Sequence, residues 1–393
     1  MKDQASAGSK IRVLLALPRR ASVEEVRGFL HATPDMEVVG IAPTAEDAVC
    51  QALQKSAHVV IIGEELGGDQ AYWDVPAAIA FLRFEVRGTA TILLSRNGVE
   101  PPKDDDRLAL ADKVLPRNAT PEELFDAVRK LGTREVWTVP KQRQVIAVTA
   151  AKGGVGKTTV ACNLSVALAM SEKEDEVALF DLYTQYGSSQ RVLGVRAAAS
   201  ALDLSGRLAE ADTALLEAHM ATHESGLRLL VGSRDTVGKE ALHSFAGRIL
   251  CALRQHYTYV VLDMPNELSD TVKSVLPLCD RVLLVTNLNE CTTVGQTVEM
   301  HANLVSEGVN KDEITILFNR HCRRNRLPMG EIERALAGSS FFSLPEDRGV
   351  NADNNRGVPT VFSRPYSRFA RDMRRFAESL AKQHCNVNGE NGR

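Results

Sequence analysis

The sequence predicts an α/β protein built from two doubly wound parallel-sheet domains in tandem. Three observations carry that expectation. Apolar runs of strand length recur between helical patterns, and they are continuous rather than alternating, as in parallel sheets covered on both faces. These units fall into two groups separated by GTREVWTVPKQR, a polar stretch with Gly and Pro and no periodicity. The length of 393 residues also fits two or three domains. The expected boundaries are 10–131 for the first domain, 132–143 for the linker, 144–384 for the second domain and 385–393 for a polar, disordered tail.

The first group opens with IRVLLAL (Ile11–Leu17), followed by a helix from Ser22 to His31 and the strand Met36–Ala42. A helix across AEDAVCQAL precedes the strand His58–Gly63. A further helix near Ala77–Phe84 leads to the strand Thr89–Ser95, and the group closes with DKVLPR and a helix at Pro121–Leu131. Thr120 is placed to accept from the first turn of that last helix. Pro121 suits its first position, where a missing N–H costs nothing.

The second group opens with VIAVTA (Val145–Ala150), then a glycine-rich loop, then a helix with apolar residues at Val160, Leu164, Ala167 and Leu168. Strand, loop and helix in that order are the context of a phosphate-binding loop. Gly153, Gly154 and Gly156 let successive amide N–H groups face one anion, and the helix N-terminus adds a favourable dipole. Lys157 brings a cation to phosphate oxygens, and the Thr158 hydroxyl can enter the octahedral shell of Mg²⁺. Further strands end at Asp181, run through Tyr259–Leu262 to Asp263, and cover Arg281–Asn287 and Ile314–Arg320.

Composition narrows the function classes. Hydrophobic residues make up 44% and charged residues 25%, which excludes wholesale disorder. With aromatics at 5%, a stacking surface for single-stranded nucleic acid spread over the chain is disfavoured. Forty-seven basic and 50 acidic side chains give a net charge of -3, unlike a protein dominated by phosphate-backbone contacts. The seven cysteines are scattered and never spaced Cys-x-x-Cys, so neither a disulfide framework nor a zinc site is encoded. The apolar run after the N-terminus, IRVLLA, is too short for a signal-peptide core. No stretch approaches the roughly 18 apolar residues of a membrane span. These features together predict a cytosolic chain.

Residues 10–131 resemble the CheY-like receiver domain of response regulators, and RNATPEEL resembles that family's closing motif. A working receiver holds magnesium and accepts phosphate on carboxylates at the ends of its first and third strands. Here Ala16 and Leu17 replace the acidic pair, and Gly63 stands at the phosphoacceptor position. Glu64 and Glu65 come one and two places late. Ser95 survives at the end of the fourth strand, and the family's basic residue appears only as Arg117. The resemblance therefore implies a degenerate receiver serving docking or dimerisation. An α/β domain unrelated to receivers is the alternative.

Residues from about Val145 to Ala381 resemble ParA/MinD-like P-loop NTPases. The usual leading glycine is Ala151, and Lys-Gly-Gly-Val-Gly-Lys-Thr-Thr (Lys152–Thr159) is that family's variant loop. The resemblance implies ATP and Mg²⁺ as cofactors and a homodimer closed over the nucleotides. Lys152 would reach the phosphates of the other subunit, and Lys152, Lys157 and Asp181 would form the catalytic set. Lys152, Gly153, Gly154, Val155, Gly156, Lys157, Thr158 and Thr159 would hold the phosphates. Thr158, Asp181 and Asp263 would serve the metal, with Asp263 as the Walker B carboxylate. Asn319, with Arg320 beside it, would read adenine, and Pro345, Glu346 and Asp347 would cover the base.

The chain departs from that family where a second carboxylate normally positions the attacking water: Tyr183 stands there. A phenol with a pKa of about 10 is a poor base at neutral pH, so hydrolysis is expected to be slow or absent. Gln185 keeps its family place and could orient water. A degenerate receiver ahead of a variant-P-loop ATPase resembles the TadZ/CpaE family. That resemblance implies a cytoplasmic factor, peripheral at the inner membrane or cell pole. Its partners would be the pilus and secretion-machine proteins of a Flp-type (tight-adherence) system. The rivals are a ParA-type DNA-partitioning ATPase and a MinD-like membrane-associated regulator.

Two arginine groups bear on the DNA rival: Arg320, Arg323, Arg324 and Arg326, then Arg364, Arg368, Arg371, Arg374 and Arg375. Solvated faces with arginines satisfying carboxylates and helix ends are the expectation. The segment Ser367–Lys382 is amphipathic, with Phe369, Met373, Phe376 and Leu380 on one face. Closing the ATPase core is its expected role, and membrane contact the alternative. His219 and His223, four apart, could share a helix face, but no third metal ligand accompanies them. Cys162 is expected to pack rather than react.

Overall fold

A computed structural model describes residues 10–18, 20–31, 33–66, 74–86, 88–96, 106–132, 143–171, 176–183, 187–204, 213–232, 239–288, 291–322 and 329–387. The chain divides into two units, Met1–Pro140 and Lys141–Arg393. Most of the expected linker lies outside the described residues.

The first unit comprises β1 (Ile11–Ala16), α1 (Arg20–His31), β2 (Met36–Ile41), α2 (Ala45–Gln54) and β3 (Val59–Gly63). It continues through α3 (Val75–Glu85), β4 (Ala90–Ser95), β5 (Lys113–Pro116) and α4 (Pro121–Leu131). Every strand predicted from its continuous apolar run is present. The strands pair in parallel in the order β2-β1-β3-β4-β5, the order of a doubly wound sheet. β3 and β4, flanked on both sides, are buried along their whole length, whereas the edge strand β2 exposes Ile41. α4 starts as the sequence requires. The Thr120 hydroxyl accepts from the Glu123 amide, the Glu123 carboxylate accepts from the Thr120 amide, and Pro121 opens the first turn.

The second unit runs β6 (Gln144–Thr149), α5 (Lys157–Ala169), β7 (Val177–Asp181), α6 (Ser189–Leu193), α7 (Thr213–Ala218), β8 (Ala221–Thr222) and β9 (Arg228–Val231). Next come α8 (Lys239–His256), β10 (Tyr259–Asp263), α9 (Asp270–Val275), β11 (Arg281–Thr286), α10 (Cys291–Ser306) and β12 (Ile314–His321). The unit ends with α11 (Met329–Ala335), β13 (Ser340–Pro345), α12 (Gly349–Arg356), α13 (Thr360–Ser363) and α14 (Arg368–Val387). Its sheet has the order β13-β12-β11-β6-β10-β7-β9-β8, parallel throughout except for the short edge strand β8. β6 and β10 sit near the middle, and α5, apolar nearly all round, is buried against them.

Three expectations change. Pro345, expected in a segment covering the base, ends β13, whose partner strand is buried β12. The final helix continues past Lys382 to Val387, so Cys385–Val387 of the expected tail are helical. His219 and His223 do not share a helix: α7 stops at Ala218, and His223 follows β8. Among the described residues no helix is long and apolar enough to cross a membrane.

Two helix ends meet backbone to backbone. α6 is capped by Gly194 (φ 65°) and α12 by Gly357 (φ 70°), both left-handed. A Cβ on Gly194 would lie 2.3 Å from the Gly357 carbonyl oxygen. Gly194→Ala therefore adds left-handed strain to a backbone clash. It is expected to cost about 2 kcal/mol or more in urea unfolding of the second unit.

Candidate functional site

Strand register assembles the site. β10 lies between β6 and β7, and Asp263 at its end pairs with Val148 on one side and Asp181 on the other. Two carboxylates thus stand abreast at the C-terminal edge of the sheet, where β6 turns into the glycine loop. Both are buried: Asp181 is 1% exposed and Asp263 fully covered. Gly154 (φ 81°) and Gly156 (φ 96°) give the loop its left-handed turns. A Cβ on Gly156 would sit 2.4 Å from Asn319 Nδ2, so this position excludes any larger residue.

Lys157 Nζ donates to Asp263 Oδ1 at 2.8 Å, and Thr158 Oγ1 donates to Asp263 Oδ2 at 2.7 Å. Burial works against the Lys157 charge, but the Asp263 carboxylate beside it wins and holds the ammonium above its ordinary pKa. The same ammonium lies 4.4 Å from the centre of the Tyr183 ring, a cation–π contact. Asp181 accepts from the Tyr183 amide at 3.0 Å and the Ser189 amide at 3.4 Å. Ser189 Oγ also reaches Asp263 Oδ2 at 3.4 Å, tying the start of α6 to both carboxylates. Lys152 Nζ approaches Thr293 Oγ1 of its own chain at 3.5 Å. Gln185 lies outside the described residues.

Beside this cluster a cavity of about 180 Å³ is bounded by Gly156, Thr159, Asn319 and Arg320. Pro345, Glu346 and Asp347 also line it, so two of the residues assigned to phosphate, Gly156 and Thr159, meet those assigned to the base. Asn319 is also structural: Nδ2 donates to the Val155 carbonyl at 2.8 Å, and Oδ1 accepts from the Arg320 amide at 3.0 Å. That leaves one N–H and one lone pair of its amide for a ligand. The second bond accompanies a left-handed backbone at Arg320 (φ 55°), rare for a residue with a side chain.

The sequence reading missed α12's part. Asn354 Nδ2 donates to the Thr159 hydroxyl at 2.8 Å, joining α12 to the glycine loop's helix. Asp353, fully buried, accepts from Thr360 Oγ1 at 2.9 Å, Arg364 Nε at 2.7 Å and Arg356. Burial alone would raise its pKa, yet these donors hold it below the ordinary carboxylate value. Neither Asn354 nor Ser189 sits in a recognisable motif. Only the run of hydroxyls in GSS after Gly187 hints at Ser189.

Four arginines of the second group meet acceptors, as expected of a satisfied face. Arg364 is held by Asp347 and Asp353, Arg374 donates to the Pro365 carbonyl, and Arg368 and Arg375 both face Asp372. Arg323, Arg324 and Arg326 lie outside the described residues. Phe369, Met373, Phe376 and Leu380 are all buried in the second unit's core, so the apolar stripe of α14 closes that core. Cys162 is fully buried, and burial pushes its thiol well above the ordinary pKa. His223 Nδ1 is engaged by Ser225, its ring packs edge-on against Phe362, and among the described residues no cluster of three or more His, Cys, Asp or Glu side chains includes it.

Burial, with Asp263 adjacent, pushes the Asp181 carboxyl from 3.8 up to about 7. A folded pKa above the unfolded one means the native state binds the proton more tightly. This contribution to stability is complete below the unfolded pKa and is lost as pH rises towards 7. Asp181→Asn is therefore expected to stabilise the nucleotide-free protein at pH 8 by roughly 2–4 kcal/mol. Urea unfolding should show most of that gain gone at pH 4.

Residues 143–314 match the family model described as an AAA domain. The septum site-determining protein MinD of Thermotoga maritima is 26% identical over 222 residues, covering 55% of this chain and 80% of that protein. The sporulation initiation inhibitor protein Soj of Bacillus subtilis is 28% identical over 256 residues, covering 61% of this chain and 98% of that protein. Among solved structures, MinD of Pyrococcus horikoshii complexed with Mg-ADP superposes with a TM-score of 0.51 at 25% identity, covering 61% of this chain and 96% of that one. The second unit has the α/β parallel-sheet fold of P-loop NTPases of the ParA/MinD type.

Proposed function

We propose that the protein is an ATP- and Mg²⁺-binding positioning factor that dimerises on nucleotide and hydrolyses it slowly or not at all. The observation that carries this reading is the convergence of Lys157, Thr158 and Asp181 on buried Asp263 beside the cavity of Asn319. Two carboxylates and a hydroxyl form an all-oxygen donor set suited to Mg²⁺. Bound Mg-ATP would supply a triphosphate anion and the divalent charge that balances both carboxylates. The chain's own groups then have separable tasks. Lys157 can turn one ammonium from Asp263 to phosphate, the glycine loop offers amide N–H groups, and Asn319 keeps a donor and an acceptor for the base. Thr159, anchored by Asn354, links the phosphate end to the covering helix.

Slow turnover follows from Tyr183. General-base catalysis contributes roughly 10²–10⁴-fold, and a phenol is a far weaker base at neutral pH than the carboxylate it replaces. Tyr183→Asp is expected to raise phosphate release at least tenfold in a steady-state assay with ATP and Mg²⁺. An unchanged rate would mean that hydrolysis is limited elsewhere.

The finer assignment is to the TadZ/CpaE type, a factor marking where a Flp-type pilus machine is assembled at the inner membrane. Two features support it: the variant loop with its leading Lys152, and a first unit whose strand order is that of flavodoxin and CheY. No phosphoacceptor carboxylate stands at Gly63. DNA partitioning is less favoured because Arg364, Arg368, Arg374 and Arg375 face carboxylates or a carbonyl. A membrane-lying α14 is less favoured because its apolar face is spent inside the core.

Light scattering tests the dimer. ATP with Mg²⁺ is expected to double the mass of wild type, while Lys152→Ala binds nucleotide but stays monomeric, because the cation lent to the partner's phosphates is gone. A monomer under all conditions would leave a static scaffold in place of a switch.

A further inference from the structure

The first unit carries a cavity that nucleotide binding in the second does not use. It measures about 590 Å³ and opens at the C-terminal ends of β1, β3, β4 and β5. This is the edge where doubly wound sheets bind ligands, because strand order reverses at β1 and β3 and the connections part there. The volume lies within the range of small-molecule pockets, roughly 300–1,000 Å³. Leu17, Val26, Leu94 and Leu124 give the cavity an apolar wall, and Arg96 and Arg117 reach its rim.

The arginines are fixed at their bases and open at their tips. The Arg96 amide donates to Glu64 Oε2 at 2.8 Å, and the Arg117 amide donates to the Ser95 carbonyl at 2.9 Å. Both guanidiniums share Glu65: Arg96 Nε donates to Oε1, and Arg117 Nη1 donates to the same oxygen at 2.8 Å. Their side chains are 63% and 43% exposed. Each guanidinium has five N–H donors, and only one nitrogen of each is engaged among the described residues. The rim therefore presents two oriented forks of the kind that grip planar oxyanions.

From this geometry we propose that the crevice binds a small amphipathic oxyanion: a flat apolar body bearing one carboxylate, phosphate or sulfonate. The head would take the open N–H groups of Arg96 and Arg117, and the body would lie on Leu17, Val26, Leu94 and Leu124. Glu64 and Glu65 already balance the two guanidinium charges, so a bare anion gains little Coulomb energy there. Affinity has to come from the apolar body together with directional hydrogen bonds, which selects this class over free phosphate.

The test titrates the full chain with 8-anilinonaphthalene-1-sulfonate and follows fluorescence. One saturable site is expected. Arg96→Gln and Arg117→Gln should each weaken it at least roughly tenfold, the value of a charge-assisted hydrogen bond. Ala119→Trp, which fills the crevice without touching a charge, should abolish it. N-phenyl-1-naphthylamine, the same body without the sulfonate, should bind at least tenfold more weakly, and millimolar inorganic phosphate should not displace the dye. Circular dichroism checks that the variants fold; if the arginine variants do not, Ala119→Trp and the neutral analogue still decide. Unchanged affinity in Ala119→Trp, equal binding of the neutral analogue, or displacement by Mg-ATP would each overturn the proposal. Failure of ATP to bind at all would count against the nucleotide reading of the second unit and leave this one standing.

Discussion

One buried ion pair governs the second unit's site. Asp263 is fully covered, Lys157 is 5% exposed, and neither charge has solvent to fall back on. Removing one partner of such a pair typically costs about 3–5 kcal/mol, because the survivor is left uncompensated. The register that places Asp181 abreast of Asp263 doubles the demand, with two carboxylates drawing on one ammonium. Asp181 answers by holding its proton near neutrality. Ionising Asp181 would leave the cluster one positive charge short, which is the physical sense in which a divalent cation suits it.

The two units use one architectural idea for different chemistry. In each, parallel strands deliver loops to a common C-terminal edge, and what those loops carry decides the outcome. The second unit brings glycines, lysine and carboxylates. In the first, the positions where a receiver keeps its carboxylates hold Ala16, Leu17 and Gly63, and the late-coming Glu65 pairs with Arg96 and Arg117. The edge of the first unit's sheet thus carries an ion-pair rim.

Much of this was legible in the sequence because it is local. Continuous apolar runs found the strands of the first unit within a residue or two, and Thr120 with Pro121 fixed the start of α4. The P-loop could be read because eight consecutive residues must serve one anion. Ser189 and Asn354 escaped because their partners lie 74 and 195 residues away, a separation no periodicity encodes. Asn319 was read for its amide chemistry alone, whereas half of that amide is spent holding the loop through Val155. Sequence alone suggested that these arginines satisfy carboxylates but could not name the acceptors, which are Asp347 and Asp353 for Arg364 and Asp372 for Arg368 and Arg375 of α14.

The meeting of Gly194 and Gly357 has a mechanical meaning. Side chains between packed helices act as a deformable cushion, able to change rotamer and absorb a small shift. Here two main chains touch with no cushion between them. One of the joined helices begins at Ser189, beside the carboxylates; the other carries Asn354 to the Thr159 hydroxyl. A tilt at the acidic end would therefore bear directly on the helix beside the cavity of Asn319, as a gear bears on its neighbour without play.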